Sequence, residues 1–258
     1  MKNAYCEIET ASRYDSARAL PAETKALWLD ALRSSIPVQD VRRILDLGCG
    51  TGRFTRALSE AFGCPAIGVE PSRAMLDVAK KQQSNDSSTI LWKAGQAEAI
   101  PLEAESVDLV FMSQVFHHFA DARKAFEEIA RVLPPGGYVA IRNGTLEHNS
   151  ELLWLKFFPE AQNIEDERTP SAQDLQNFVC NQSPQKFEMI SHRVIHQVFA
   201  ASHAEYYEKI SRRGLSALIA ISDEAFQRGL EQFKQWVNTQ PAGVAVYEPV
   251  DLFVFKKA

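Results

Sequence analysis

Asp46-Leu47-Gly48-Cys49-Gly50-Thr51-Gly52 is the stretch that decides the fold. The apolar run Arg43-Ile44-Leu45-Asp46-Leu47 leads into it and reads as a buried strand. Phe54, Ala57, Leu58, Ala61 and Phe62 follow at helical spacing, and Gly63 closes that helix. Glycines between a strand and a helix let the backbone turn sharply and let a ligand approach the main chain. The N–H groups opening the helix can face an anionic group.

Working outward, strands and helices keep alternating. Ala66-Ile67-Gly68-Val69-Glu70 is a second strand, and Pro71 and Ser72 open a helix carrying Met75, Leu76 and Ala79. Further strands fall at 89–93, 107–112 and 138–141. Asp121 can cap the helix whose face is Ala125, Phe126, Ile129, Ala130 and Leu133. Upstream, Pro21 opens a helix with Leu27, Trp28, Ala31 and Leu32 on one face, and Pro37 ends it. Short, nearly continuous apolar strands between amphipathic helices need a parallel sheet covered on both faces. Right-handed crossovers make that sheet doubly wound. Beyond residue 145 the pattern changes. Residues 148–182 read as helical or irregular, Phe187 to Phe199 as a strand, and Ser202 and Ser222 as helix starts. Val250–Phe255 is a closing strand. The expectation is one α/β domain over 1–258: a doubly wound, mostly parallel seven-stranded sheet with helical cap insertions. Residues 1–36 would form an N-terminal segment, 40–142 the core, and 143–258 the last strands with the cap.

The chain has 258 residues, 45% hydrophobic and 24% charged, the composition of a folded globular protein. Its 28 basic and 33 acidic residues leave a net charge of −5, which gives no general attraction to nucleic acid. Cys6, Cys49, Cys64 and Cys180 lack paired metal spacing and are too sparse for a disulfide framework. The first residues lack the apolar stretch of a signal peptide, and no run has the length of a membrane helix. A cytoplasmic protein without a membrane partner is expected, with oligomeric state open.

The glycine spacing departs from a dinucleotide fingerprint. Counted from Gly48, the sixth position is Arg53, where that fingerprint needs a glycine for close helix–strand packing. Glu70 ends the second strand 18 residues beyond Gly52, where a carboxylate can accept from both ribose hydroxyls.

Five segments in this order and spacing carry a family resemblance: 46–52, Glu70-Pro71-Ser72, 95–101, 108–113 with His117-His118, and Leu133-Pro134-Pro135-Gly136-Gly137. Over residues 40–142 the chain resembles the class I S-adenosylmethionine-dependent methyltransferases, and more narrowly the type 11 methyltransferase domain. The resemblance implies a Rossmann-like methyltransferase fold, S-adenosyl-L-methionine as cofactor and S-adenosyl-L-homocysteine as product. It implies that Asp46 lies near the methionine amino group, with Gly48 and Gly50 giving backbone contacts. Glu70 would hold the ribose, Pro71 and Met75 would flank the adenine, and Gln96 and Ala97 would meet its edge. Ser113 would offer backbone contact to the amino group, and His118 would lie beside the cofactor. Tyr14 and Arg18 resemble a segment that folds over the cofactor near its carboxylate. Many relatives carry Asp where this chain has Gln96.

Other residues leave alternatives open. His117 and His118 are neighbours whose side chains would point about 100° apart on a helix, so they do not share one metal. No metal is expected. His117 is a candidate base or a packing residue. Arg142, at a strand end, is a candidate substrate contact. Trp154, Phe157 and Phe158 line a pocket or dock a helix. Tyr206, Tyr207, Arg212 and Arg213 reach the site from a cap or, preferably, form a solvated helix face. The expected activity is methyl transfer to a small-molecule acceptor, driven mainly by proximity and orientation. A nicotinamide-dependent oxidoreductase and a non-catalytic cofactor-binding protein are the alternatives.

Overall fold

The computed structural model describes residues 20–83 and 90–258. Its elements, in chain order, are α1 (Ala22–Ser35), β1 (Ile44–Leu47), α2 (Thr55–Phe62), β2 (Ala66–Glu70), α3 (Arg73–Gln83), β3 (Ile90–Ala94), β4 (Leu109–Ser113), α4 (Ala122–Val132) and β5 (Tyr138–Asn143). Then come two 3-10 segments, Leu146–Glu151 and Leu153–Phe157, followed by α5 (Pro159–Arg168) and α6 (Ala172–Asn177). The chain closes with β6 (Phe187–Ala200), α7 (His203–Ser211), α8 (Ser216–Ala220), α9 (Asp223–Val237) and β7 (Val246–Lys257).

The seven strands form one sheet in the order β3-β2-β1-β4-β5-β7-β6. β1 to β5 run parallel, and β7 lies antiparallel between β5 and β6. Side chains alternate between the faces, as the strand period of two requires. Leu45, Leu47, Val110, Met112, Val139 and Ile141 pack with Phe126 and Ile129 of α4 on one face. Ile44, Leu109, Phe111, Tyr138 and Ala140 pack with Trp28 and Leu32 of α1 and Leu58 and Phe62 of α2 on the other. This is the two-faced burial expected from the apolar runs. Asp121 caps α4 by accepting from Lys124 N at 3.0 Å, a contact worth about 1 kcal/mol.

The fourth strand begins two residues later than its apolar run. Val107 N and Asp108 N donate instead to Val132 O and Arg43 O, tying the strand entry to the end of α4 and the start of β1. The cap elements have a core of their own, built from Trp154, Phe158, Phe199, Tyr206, Leu218, Phe226 and Phe233. Among the described residues no helix is long and apolar enough to cross a membrane.

Candidate active site

The site residues gather at the carboxyl ends of the parallel strands, because the sheet order reverses direction between β1 and β4. A crevice outside the strand ends is the usual ligand place in such a sheet. The loop after β1 is shaped by left-handed backbone at Gly48 (φ 71°) and Gly52 (φ 78°). A Cβ on Gly48 would lie 2.5 Å from Val115 Cγ1, and one on Gly52 would lie 2.4 Å from the Trp92 ring. Bare backbone is therefore required at both positions. Trp92 from β3 fills the space behind the loop.

Glu70, at the end of β2, grips this loop. Its Oε2 accepts from Gly50 N and its Oε1 from Ser72 N, each at 3.0 Å. Burial pushes its carboxyl up, and the two N–H bonds pull it partly back. A carboxylate has roughly four lone-pair sites, so two remain for a vicinal diol. Asp46 is 2% exposed and accepts from Thr55 Oγ1 at 2.5 Å. Burial drives its carboxyl up to about 7; Thr55 and Arg53 oppose that rise, and Glu70 adds to it. A buried carboxyl with so little positive compensation suits a cationic partner. Burial also raises the Cys49 thiol well above its usual range, the opposite of an activated nucleophile.

The other expected residues are placed as follows. Pro71 is exposed, and Met75 is buried in α3 beside Ala74. Gln96 is exposed on a tight turn bridged to Ala99, with Ala97 buried beside it. Ser113 ends β4, and His117 and His118 lie in a short 3-10 turn with ring centroids 4.1 Å apart. Tyr14 and Arg18 fall outside the described residues. Among the described residues no cluster of His, Cys, Asp and Glu could hold a metal ion.

Arg142, a candidate substrate contact, is 3% exposed, and its guanidinium bonds within the protein. It donates to Ser113 Oγ at 3.1 Å and to Gln197 Oε1 at 2.7 Å. It also lies 4.5 Å from the Trp28 ring centroid. Trp28 Nε1 donates to the same Gln197 oxygen at 2.9 Å. This knot fastens α1 and β6 to the strand end that carries Ser113.

A cavity opens beyond the ends of β4 and β5, under the cap. Gln114, His117, Asn143, Trp154, Arg168 and Glu248 are among its lining residues. The aromatic cluster divides: Trp154 lines the cavity, whereas Phe157 stacks on Phe233 at 4.6 Å and Phe158 on Phe226 at 5.7 Å. The solvated face expected for the 206–213 segment is corrected in two places. Tyr206 is fully buried and donates to Glu248 Oε1 at 2.7 Å. Arg213 donates to Leu218 O at 2.8 Å and to Ile221 O and Asp223 Oδ1 at 2.5 Å each. Asn143, Glu248 and Gln114 carry no sequence motif. Glu248 reaches the site because β7 runs antiparallel, so its start lies at the ends of the parallel strands.

Residues 45–141 match the model of a methyltransferase domain. A methyltransferase-like protein of Schizosaccharomyces pombe is 40% identical over 112 residues, 43% of this chain and 42% of that one. A solved Anabaena variabilis structure, described as a methyltransferase from an antibiotic biosynthesis pathway, superposes with a TM-score of 0.72 at 20% identity. The superposition covers 94% of this chain and 100% of that one. The phosphoethanolamine N-methyltransferase 2 of Haemonchus contortus, solved with phosphomonomethylethanolamine and S-adenosylhomocysteine, gives a TM-score of 0.61 at 21% identity. There the coverage is 96% of this chain and 56% of that one. Over residues 45–141 the chain is similar to methyltransferase domains, and its fold is that of the solved methyltransferases. The matched part spans less than half the length of the curated relatives.

Proposed function

We propose that this protein transfers the methyl group of S-adenosyl-L-methionine to a small-molecule acceptor. The observation that carries this reading is the Glu70 carboxylate bonded to Gly50 N in a loop whose Gly48 and Gly52 have no room for a Cβ against Val115 and Trp92. When bound, S-adenosylmethionine supplies a methyl group already activated on a sulfonium sulfur. The chain's task is then to seat both partners and exclude water. Glu70 holds the ribose diol with its remaining lone pairs. Asp46 supplies the negative charge that a cationic amino-acid end needs, and Gly48 and Gly50 give it bare main chain. Pro71, Met75, Gln96 and Ala97 border the adenine. Ser113 and His118 close the strand-end side. Orientation of an acceptor behind the methyl group can supply roughly 7–11 kcal/mol of the barrier. His117, which lines the cavity, takes a proton where the acceptor must lose one. Arg142 positions Ser113 from beneath rather than touching the acceptor.

The test is an S-adenosylhomocysteine release assay over a panel of small phenols, carboxylic acids, amines and thiols. Release that depends on one acceptor and is lost in Glu70→Ala supports the reading. Tight cofactor binding with no release for any acceptor favours a non-catalytic cofactor-binding protein.

A further inference from the structure

We propose that Asn143 is the acceptor-binding group of this site, and that the cavity selects a methyl acceptor carrying an N–H or O–H donor. Asn143 closes β5, is 1% exposed, and lines the cavity between the strand ends and the cap. Its Nδ2 donates to Gly144 O at 2.7 Å, while its Oδ1 is buried without a hydrogen-bond partner. The amide orientation is fixed by that one bond. Turned over, it would set two carbonyl oxygens against each other at the same separation.

An unpaired buried carbonyl costs free energy, so its retention at a cavity wall points to a donor arriving with a ligand. Two donor side chains there are already engaged: Asn149 Nδ2 with Asp166 Oδ1 at 2.9 Å, and Arg168 with both oxygens of Glu165. Glu248 adds a carboxylate to the same wall, where Tyr206 orients it. A cavity offering acceptors rewards amines and alcohols. It penalises ethers and tertiary amines of the same shape, which would leave the amide oxygen unpaired. The nearby Trp154 ring gives an apolar surface for the body of such a molecule.

This inference rests on the methyltransferase reading, and the experiment separates the two. Calorimetry first asks whether the wild-type chain binds S-adenosylhomocysteine; no binding defeats the methyltransferase reading. Ligand-observed NMR on the loaded protein then compares phenol with anisole and aniline with N,N-dimethylaniline. The inference expects the donor-bearing partner of each pair to bind about tenfold tighter, the effect of one satisfied hydrogen bond. In Asn143→Leu that preference disappears while S-adenosylhomocysteine affinity stays within about twofold. If Asn143→Leu does not fold, Asn143→Ala carries the same comparison. Equal binding within each pair, no binding of either, or a preference unchanged in the variant overturns the inference and leaves the cofactor result standing.

Discussion

Asp46 shows how one buried carboxyl couples fold to ligand. Its folded-state pKa, about 7, lies above the ordinary value of 3.8. The unliganded fold therefore binds its proton more tightly than the unfolded chain does. Stability from this group is full below about pH 4 and is lost as pH rises through about 7, a span worth up to roughly 4 kcal/mol. Thermal unfolding against pH should show the loss, and Asp46→Asn should flatten it. S-adenosylmethionine binding should run the other way. A cationic ligand favours the ionised carboxylate, so affinity measured by calorimetry should rise between about pH 6 and pH 8 in the wild type and stay flat in Asp46→Asn. Gly48 makes a second prediction. Alanine there meets both left-handed backbone and Val115, and the backbone alone costs about 1–2 kcal/mol. Gly48→Ala should lower the midpoint in urea, and adding Val115→Ala should recover only the part due to overlap.

Among the elements, α1 and the segment after β5 are held by buried polar contacts rather than by apolar burial alone. Trp28 is fully buried and joins α1 to Gln197 of β6 and to Arg142 of β5. Trp28→Ala should cost about 3–5 kcal/mol in denaturant unfolding. It should also loosen the protection of the α1 amides in hydrogen exchange. Asp251 of β7 is 1% exposed and accepts from Thr145 Oγ1 at 2.8 Å, with His192 Nε2 at 2.6 Å on its other oxygen. It pins the turn that leads into the cap. Asp251→Ala should cost about 1–3 kcal/mol in the same measurement by removing a buried acceptor shared by Thr145 and His192.

Across the whole molecule, the parallel half was readable in the sequence because its signals are local. A strand buried on both faces is an apolar run, a glycine loop is a motif, and Glu70 ends its own strand. The cap wall of the cavity was not readable, because its members come from distant segments. Asn143 and Glu248 line one cavity only because β7 runs backwards. Tyr206 read as surface because its helix repeats with a weak pattern, yet a carboxylate on β7 buries its hydroxyl. Arg142 read as a substrate contact because a strand end is a good place for one. Its partners Trp28 and Gln197 lie 114 residues upstream and 55 downstream, beyond the reach of local pattern.

The central claim is that Glu70 and the bare loop beside it form the seat for S-adenosylmethionine. Titration calorimetry of the intact chain with S-adenosylmethionine, repeated on Glu70→Ala, tests it most directly. The account predicts one site per chain in the wild type and a loss of about tenfold or more in affinity in the variant, the scale of one or two hydrogen bonds to a charged group. No heat of binding in the wild type, or equal affinity in the two proteins, would contradict it.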